Sequence, residues 1–492
     1  MKLLSKLILS FSVFCMLACL QAQGQTYYNF ALGGLSSPYN PTHAIIRTID
    51  AQRAVAYYGG PGVATSVLAY IDLSTLTVSR LELDGGFDQL KDIRIENGVV
   101  FFCGRNSQTL RGFIGHVTLA DLIASTANSI HCYDIYDPGL MAYTSSTIMW
   151  RLAAYNDGTG TTRVVCLGNT WFQNGNTTFY PCTDTVYPTC QASFIVECTY
   201  SGTLSTPMNM IVVSDATRFE LADDVVVTDN WLAIISRFPA QDEIVIHRCV
   251  KNDVINTFNN LYSFKVNPLE GVNHCCHMKG DTIADATLYS SPSVSHYESH
   301  LRVFDLNTMT MTRAQQFDLL EKAEPQEVVY LSDYATLVTL QYQMYPSNVL
   351  HHTFVSWKPY STTPYFAKLT YEIITNKKFE SLDKLTQKHI VAAGGDYWLM
   401  KDIINDDPST TCYKLAQQKV EALQLSPGIE SNYIYDTFTL PPTTFQQSGI
   451  TYSIPISYIF SYSLFIYFFI QFIFNISPSI EIFIFHIRIF II

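Results

Sequence analysis

The chain has 492 residues, a formal net charge of −12, and 31 Tyr and 30 Phe. Its acidic balance and the lack of a Lys/Arg run argue against nucleic acid as a partner, because phosphate-binding proteins carry clustered cations. The aromatic content predicts a large buried core without a long disordered polar region, and the length fits two or three ordinary domains or one large all-β unit.

Residues 1–22 predict a secretory signal peptide. Two lysines precede an apolar run at 7–20, and Ala22 stands at the expected cleavage position. We therefore expect an exported protein of the cell envelope, either periplasmic, on the outer surface or anchored to the membrane. Lipidation at Cys19 stays open, because residues 16–19 partly match a lipoprotein box.

A hairpin phrase recurs along the chain. Residues 92–102 read DIRIENGVVFF, and the same order of acidic residue, strand, tight turn and apolar strand returns at 224–234 and 327–337. The turn pairs Asn-Gly, Asp-Asn and Ser-Asp tolerate positive φ, as two-residue hairpin turns require. A looser copy with a glycine pair at the turn covers residues 390–400.

A second phrase sets the spacing of the repeat. The segments DLSTLT at 72–77 and DLNTMT at 305–310 lie 233 residues apart. Four units of about 58 residues fit this interval, which is the size of a four-stranded propeller blade with its loops. Seven units fit best, with candidate starts near Ile45, Asp92, Met149, Asp224, Met278, Glu327 and Ile390.

These repeats predict an all-β fold. We expect a β-propeller of about seven four-stranded blades over residues 23–447, because small sheets arranged radially cover each other's faces. Short helical patches break the strand pattern at 119–125, 377–388 and 411–425, and we expect them to be small helical decorations of loops. Tandem β-sandwiches are the alternative, since they are also built from many short strands.

Residues 50–90 contain a glycine doublet at 59–60, the segment YIDLSTLTVSRL and a second doublet at 85–86. This pattern resembles the kelch-type repeat, and a fainter copy lies at 295–318. The chain is similar to divergent exported bacterial β-propellers with kelch- or WD-like blades. The resemblance implies an architecture and no specific function, because one fold supports many activities.

Three acidic residues, Asp92, Asp224 and Glu327, occupy the first position of the hairpin phrase. A residue that returns in several blades more often caps a turn or accepts a bond from neighbouring backbone than performs chemistry, so we expect a structural role. The alternative is a glycan-active hydrolase or lyase with paired carboxylates at the channel mouth. Further candidate acids beside them are Asp88, Asp223 and Asp229.

The longest unit contains four cysteines within residues 166–198. A disulfide in an oxidising compartment would order a segment with little core of its own, so we expect Cys182 to pair with Cys190 or with Cys198. Free buried thiols are the other interpretation.

No metal and no cofactor are expected. His274 to His277 offer four zinc-type ligands in a row, but alternate residues of an extended strand point to opposite faces. At most two of the four could therefore reach one ion.

The sequence favours a binding or interaction module of unknown ligand over an enzyme. Trp171, Phe172 and Tyr180 in the long insertion could stack on a sugar or anchor a protein, or they could form the insertion's own small core. We expect a protein or glycan partner at the cell surface. A structural subunit of a surface assembly is a third alternative.

Residues 448–492 form a hydrophobic tail of unusual composition. The segment 454–476 is uncharged and 23 residues long, enough to cross a hydrocarbon core of about 30 Å. The tail is therefore either a C-terminal membrane anchor or the product of a frameshift into A/T-rich DNA, because Ile, Phe and Tyr make up most of it and their codons can consist of A and T alone.

Overall fold

The computed structural model describes residues 43–59, 66–135, 144–172, 190–205, 208–212, 221–238, 243–253, 255, 260–265, 274–290, 297–319, 323–344, 350–361, 368–373, 380–394, 397–402, 411–415, 420–423, 437–438 and 454–455. The chain divides into two compact units, Met1–Leu425 and Ser426–Ile492. The predicted signal peptide, residues 1–22, lies outside the described residues. The domain limits at 22 and 447 therefore remain predictions.

Seven antiparallel sheets follow one another along the first unit, and each is built from consecutive strands. We number them blades 1 to 7. The strands of blades 1 to 4 are β1 His43–Asp50, β2 Arg53–Gly59, β3 Ser66–Asp72 and β4 Thr77–Leu83; β5 Gln89–Glu96, β6 Val99–Arg105, β7 Gly112–Thr118 and β8 His131–Asp134; β9 Thr144–Asn156, β10 Thr162–Phe172, β11 Cys190–Tyr200 and β12 Asn209–Val212; and β13 Leu221–Val227, β14 Trp231–Phe238, β15 Glu243–Val250 and β16 Asn260–Lys265.

The strands of blades 5 to 7 are β17 His274–His277, β18 Thr282–Ser290, β19 Tyr297–Asp305 and β20 Thr310–Leu319; β21 Ala323–Leu331, β22 Thr336–Met344, β23 Leu350–Trp357 and β24 Lys368–Ile373; and β25 Ser381–Lys384, β26 His389–Gly394, β27 Tyr397–Asp402, β28 Thr411–Leu415 and β29 Val420–Leu423. Blade 7 thus has five strands. In the second unit, β30 Thr437–Phe438 pairs with β31 Ile454–Pro455.

The first strands of the blades form a closed ring. Each packs on the first strand of the next blade, from β1 through β5, β9, β13, β17 and β21 to β25, which packs back on β1. Among the described strands no sheet closes on itself, so the ring is held by contacts between sheets. The predicted seven-bladed propeller is confirmed, and the tandem-sandwich alternative is wrong.

In the described part of the first unit, seven separate apolar clusters lie one between each pair of neighbouring blades. Because a blade is covered on both faces, its inner strands are apolar without alternation. Strand β6, with the sequence VVFFCGR, is buried over its first six residues. This arrangement explains why the sequence shows apolar runs where a one-sided sheet would show a period of two.

The three copies of the hairpin phrase join the first and second strands of blades 2, 4 and 6. In the first copy Asn97 and Gly98 have φ of 50° and 72°, as the predicted turn requires. In the third copy the turn is instead a short 3₁₀ segment, Ser332–Tyr334. The looser copy at 390–400 joins the second and third strands of blade 7, one strand out of step with the others.

One of the three predicted helical patches is a helix. Helix α1, Leu119–Ala124, begins at the N-cap Thr118, whose side chain accepts the N–H of Asp121 at 3.1 Å. The helix predictions for 377–388 and 411–425 were wrong where the structure describes these residues, because the segments contain β25, β28 and β29. Pairing within the last blade overrides the local helical pattern there.

Within the described part of the chain, no helix is long and apolar enough to cross a membrane. The predicted spanning segment at 454–476 lies outside the described residues apart from β31.

Candidate functional site

A cluster of polar side chains lies at the centre of the ring, and each blade contributes one of them from its first strand. We call this set the central cluster. Its members in blade order are Arg47, Asp92, Arg151, Asp224, His274, Glu327 and Ser381.

The three recurring acids lie next to β-bulges. The strand register shifts between Leu90 and Asp92, and equivalent shifts precede the acids of blades 4 and 6. A bulge redirects the side chain that follows it. Each acid then accepts a backbone N–H from the first strand of the next blade. These contacts join Asp92 to Leu152 at 3.1 Å, Asp224 to Cys275 at 2.8 Å and Glu327 to Leu382 at 2.6 Å.

Arg47 links three blades to its own. Its Nη2 donates to Oδ1 of Asp92 at 2.8 Å, its Nη1 donates to Oγ of Ser381 at 2.8 Å, and both terminal nitrogens bond the Glu327 carboxylate. Burial alone would lower the pKa of Arg47, but the carboxylates of Glu327, Asp92 and Asp383 raise it above its ordinary value. The guanidinium therefore stays charged inside the ring.

Arg151 of blade 3 reaches across the ring. Its Nη2 donates to Nδ1 of His274 at 2.5 Å, its Nε lies 3.8 Å from Asp224, and its Nη1 lies 3.7 Å from Glu327 on blade 6. A guanidinium can only donate, so the Nδ1 of His274 is the acceptor of this bond. Blades 3 and 6 lie on opposite sides of a seven-bladed ring, so side chains occupy the channel at this level.

The pKa values of two acids in the cluster move in opposite directions. Burial raises the pKa of Asp92, but Arg94, Arg47 and Arg151 outweigh it and lower the value. For Asp224 burial dominates and raises the pKa, although Arg151 opposes it. Such divergence is typical of acid and base pairs in enzymes. Asp92 is nevertheless 0% exposed and Asp224 4%, so neither carboxylate presents a surface to a substrate.

The further candidate acids do not join the central cluster. Asp223 forms a two-bond ion pair with Arg237, with N–O distances of 2.7 and 2.9 Å. Asp88 accepts the N–H of Ser107 at 3.3 Å. Asp229 lies in the turn between β13 and β14. The structure thus brings together Asp92, Asp224 and Glu327 and separates the other three acids from them.

The aromatic residues expected in the long insertion are placed differently from the prediction where they are described. Trp171 and Phe172 are the last two residues of β10 and pair with Gln191 and Cys190. They therefore belong to a strand, and their role in binding stays a prediction. Tyr180 lies outside the described residues.

The cysteine prediction is corrected in part. Cys198 is a buried free thiol in β11, so the pairing of Cys182 with Cys198 is absent from this structure. The alternative pairing of Cys182 with Cys190 depends on residue 182, which lies outside the described residues.

The four-residue run at 274–277 forms β17, with alternating directions along the strand. His274 points into the central cluster and is 7% exposed, whereas His277 is exposed. In the described part of the chain, no three His, Cys, Asp or Glu side chains are grouped so that they could hold a metal ion.

The sequence interpretation missed the basic members of the central cluster. Arg47 follows the apolar run AII in HAIIRTID, and Arg151 is the one charged residue in MWRLAAY. A lone arginine in a strand that must be buried on both faces requires a buried carboxylate, because an unpaired charge is too costly inside a protein. The conflict between a charged side chain and a buried strand was therefore the sequence signal that could have revealed these two arginines.

Comparison with known proteins gives no family: no family model matches the chain, and no curated protein matches it. Among solved structures, an acylaminoacyl peptidase from Pyrococcus horikoshii has 8% identity and a TM-score of 0.41, over 79% of this chain and 54% of that one. The polysaccharide lyase Uly1 has 9% identity and a TM-score of 0.40, over 82% and 95%.

The β-propeller domain of the trilobed protease from Pyrococcus furiosus has 9% identity and a TM-score of 0.37, over 78% of this chain and 96% of that one. The chain spans about half the length of the peptidases it matches. At such low identity and TM-score, the fold rests on the strand order and ring contacts described above.

Proposed function

We propose that this chain is an exported β-propeller that binds a protein or a glycan at the cell surface. The observation that carries the proposal is the state of the central cluster. Its three carboxylates are bonded to arginines or to backbone N–H groups of the next blade, and Asp92 and Asp224 are buried. They act on the ring itself and hold its blades in register.

A ring of this kind supports recognition at its rims. Arg151 and Glu327 approach each other across the channel, so a ligand would not pass the axis at their level. Loops that connect rigid strands are the usual location of binding residues in such scaffolds. The predicted signal peptide supports export, and the apolar tail supports attachment to a membrane.

The test has two parts, both with the full chain. The chain purified in detergent is applied to a glycan array, and chemical cross-linking is carried out on intact cells that carry the chain. We expect one of the two experiments to return a saturable ligand. Absence of any glycan signal, together with absence of a reproducible cross-linked protein, would overturn the proposal.

A variant pair tests which rim binds. Phe172 ends the second strand of blade 3, whereas Tyr360 follows the third strand of blade 6. Because neighbouring strands are antiparallel, these residues lie at opposite rims. We expect Phe172→Ala to lower the affinity and Tyr360→Ala to leave it unchanged, with thermal melting as the check on folding. The reverse pattern would assign recognition to the other rim.

The second candidate function is a glycan-active hydrolase or lyase, favoured by the opposite pKa directions of Asp92 and Asp224. Incubation with neutral and uronic-acid polysaccharides, followed by assays of new reducing ends and unsaturated products, tests it. Turnover that disappears in a folded Asp224→Asn variant would replace binding by catalysis as the function.

A further inference from the structure

We propose that Cys103 and Cys166 form a disulfide that joins blades 2 and 3 when the chain folds in an oxidising compartment. The proposal goes beyond the binding function and does not depend on it. Cys103 lies on β6 and Cys166 on β10, the second strands of neighbouring blades, and both are free thiols with 0% exposure in this structure.

The strand registers place the two cysteines at the same level. Cys103 pairs with Asp92 across blade 2, and Cys166 pairs with Leu152 across blade 3. The Asp92 carboxylate in turn accepts the N–H of Leu152 at 3.1 Å. This bond joins the first strands of the two blades, β5 and β9, at the level where the cysteines lie on the second strands, β6 and β10. Both side chains enter the same apolar cluster between the two blades.

The two thiols are close enough to affect each other. Burial is the largest cause that raises the pKa of Cys166, and the neighbouring Cys103 raises it further. A disulfide needs Cβ atoms about 3.5–4.5 Å apart, so its formation requires blades 2 and 3 to hold these two positions face to face at the level that the Asp92–Leu152 bond fixes.

Cys198 is the competing partner for Cys166, since it lies in the same cluster. It pairs with Val164 and therefore stands diagonally from Cys166 across β10 and β11. Diagonal neighbours in a sheet are about 7–8 Å apart, too far for a disulfide without backbone movement. The geometry thus selects Cys103 over Cys198.

The oxidant is a small disulfide such as oxidised glutathione. One cysteine thiolate attacks its S–S bond and releases one glutathione thiolate, and the second cysteine attacks the resulting mixed disulfide and releases the other. One Cys–Cys bond and two glutathione thiols form, so two electrons and two protons pass to glutathione. Because both sulfurs are buried in the folded ring, the first attack belongs to the folding stage, before blades 2 and 3 pack together.

The test is a peptide map of the full chain, unfolded with reductant and refolded in detergent with a glutathione redox buffer. Remaining thiols are alkylated after denaturation, and the digest is analysed by mass spectrometry. We expect the peptide with Cys103 linked to the peptide with Cys166, at the mass of their sum less two hydrogen atoms, and Cys198 alkylated. Recovery of Cys103 and Cys166 both alkylated, or of Cys166 linked to Cys198, would overturn the proposal.

Two matched variants separate this bond from others in the chain. Cys198→Ala should keep the link, and Cys166→Ala should leave Cys103 alkylated. Reduction should lower the urea midpoint of the wild type and of Cys198→Ala by more than that of Cys166→Ala. Equal shifts in all three proteins would contradict a stabilising bond at this position, and the wild-type map decides the pairing even if Cys166→Ala does not fold.

Discussion

Two blade interfaces of the ring differ in how their inner strands are joined. At the interface of blades 7 and 1, which we call the seam, the chain does not run directly from one blade to the next. Ser381 Oγ accepts the N–H of Ile46 at 3.1 Å, and the Asp383 carboxylate accepts the N–H of Thr48 at 2.7 Å. Glu380 adds a further bond to His43.

The interface of blades 2 and 3 has the bond from the Leu152 N–H to Asp92 between its inner strands, together with an apolar cluster that contains aromatic side chains. Its cluster includes Phe101, Leu152 and Phe194, which are at most 2% exposed. Around it, His116 stacks on Tyr133 with ring centroids 6.1 Å apart.

The difference follows from chain connectivity. Blades 2 and 3 are neighbours in sequence, so the chain itself limits how far they separate. The seam joins residues more than 330 positions apart, and in the described strands no sheet is shared between its two blades. Apolar burial is non-directional. Hydrogen bonds at defined atoms specify one register, which is what a seam without a direct chain connection requires.

Replacement of Arg47 by methionine should have the largest effect. The variant leaves Asp92 and Glu327 in the ring without the guanidinium that now bonds both. Loss of one partner from a buried ion pair costs about 3–5 kcal/mol. Urea denaturation followed by circular dichroism measures the free energy of unfolding.

Arg53→Met is the matched control, because Arg53 forms an exposed pair with Asp50 in the same blade. It should change little, since exposed ion pairs contribute little. Equal losses in the two arginine variants would contradict a special role for the central cluster.

Leu152→Ala tests the apolar interface. Leu152 has 0% exposure, and its removal leaves a cavity between blades 2 and 3. Such changes cost about 2–5 kcal/mol. Ile123→Ala, at a helix position that is 42% exposed, should be nearly neutral. A loss below about 1 kcal/mol for Leu152→Ala would mean that the interface closes around the missing side chain.

The repeat was predictable from sequence because it arises from local signals. The phrase at 92–102 contains its own turn and both of its strands, so one segment specifies one hairpin. The helix prediction for 377–388 was wrong, because the described part of this segment includes β25. This strand pairs with β26, and that pairing overrides the helical pattern.

The central cluster was only half predictable. Asp92, Asp224 and Glu327 share a position in a repeat, which the sequence displays. Arg47 and Glu327 are 280 residues apart, and their contact exists only because the ring closes. No local pattern specifies which arginine meets which acid across a ring, so that information enters with the tertiary fold.

The aromatic interface of blades 2 and 3 should lose stability in acid. His116 is 2% exposed, and burial, with a smaller contribution from His131, lowers its pKa from 6.5 to about 4. The unfolded chain therefore takes up the proton first. The contribution of neutral His116 to the free energy of unfolding is fully present above pH 6.5. It falls as the pH drops towards about 4, by roughly 2–3 kcal/mol in total.

His116→Phe should remove this part of the slope. The carboxylates that titrate in the same range are common to both proteins, so the difference between their stability curves isolates His116. His277→Gln, at an exposed position, should keep the wild-type slope. Parallel curves for the wild type and His116→Phe would show that His116 is not the source of acid sensitivity.

Ser381→Ala should have the smallest effect of the four, and it tests the seam itself. The change removes the acceptor of the Ile46 N–H at 3.1 Å and of Arg47 Nη1 at 2.8 Å, while Arg47 keeps its carboxylate partners. A buried N–H left without an acceptor costs about 1–2 kcal/mol. Ser332→Ala, whose hydroxyl bonds Gln387 at an exposed site, is the control and should be nearly neutral. If directional bonds specify the seam, hydrogen exchange of the Ile46 amide should rise more than that of amides between blades 2 and 3. A uniform rise across the ring would instead mean that the seam opens only when the whole propeller unfolds, and its polar bonds would then have no separate role in closure.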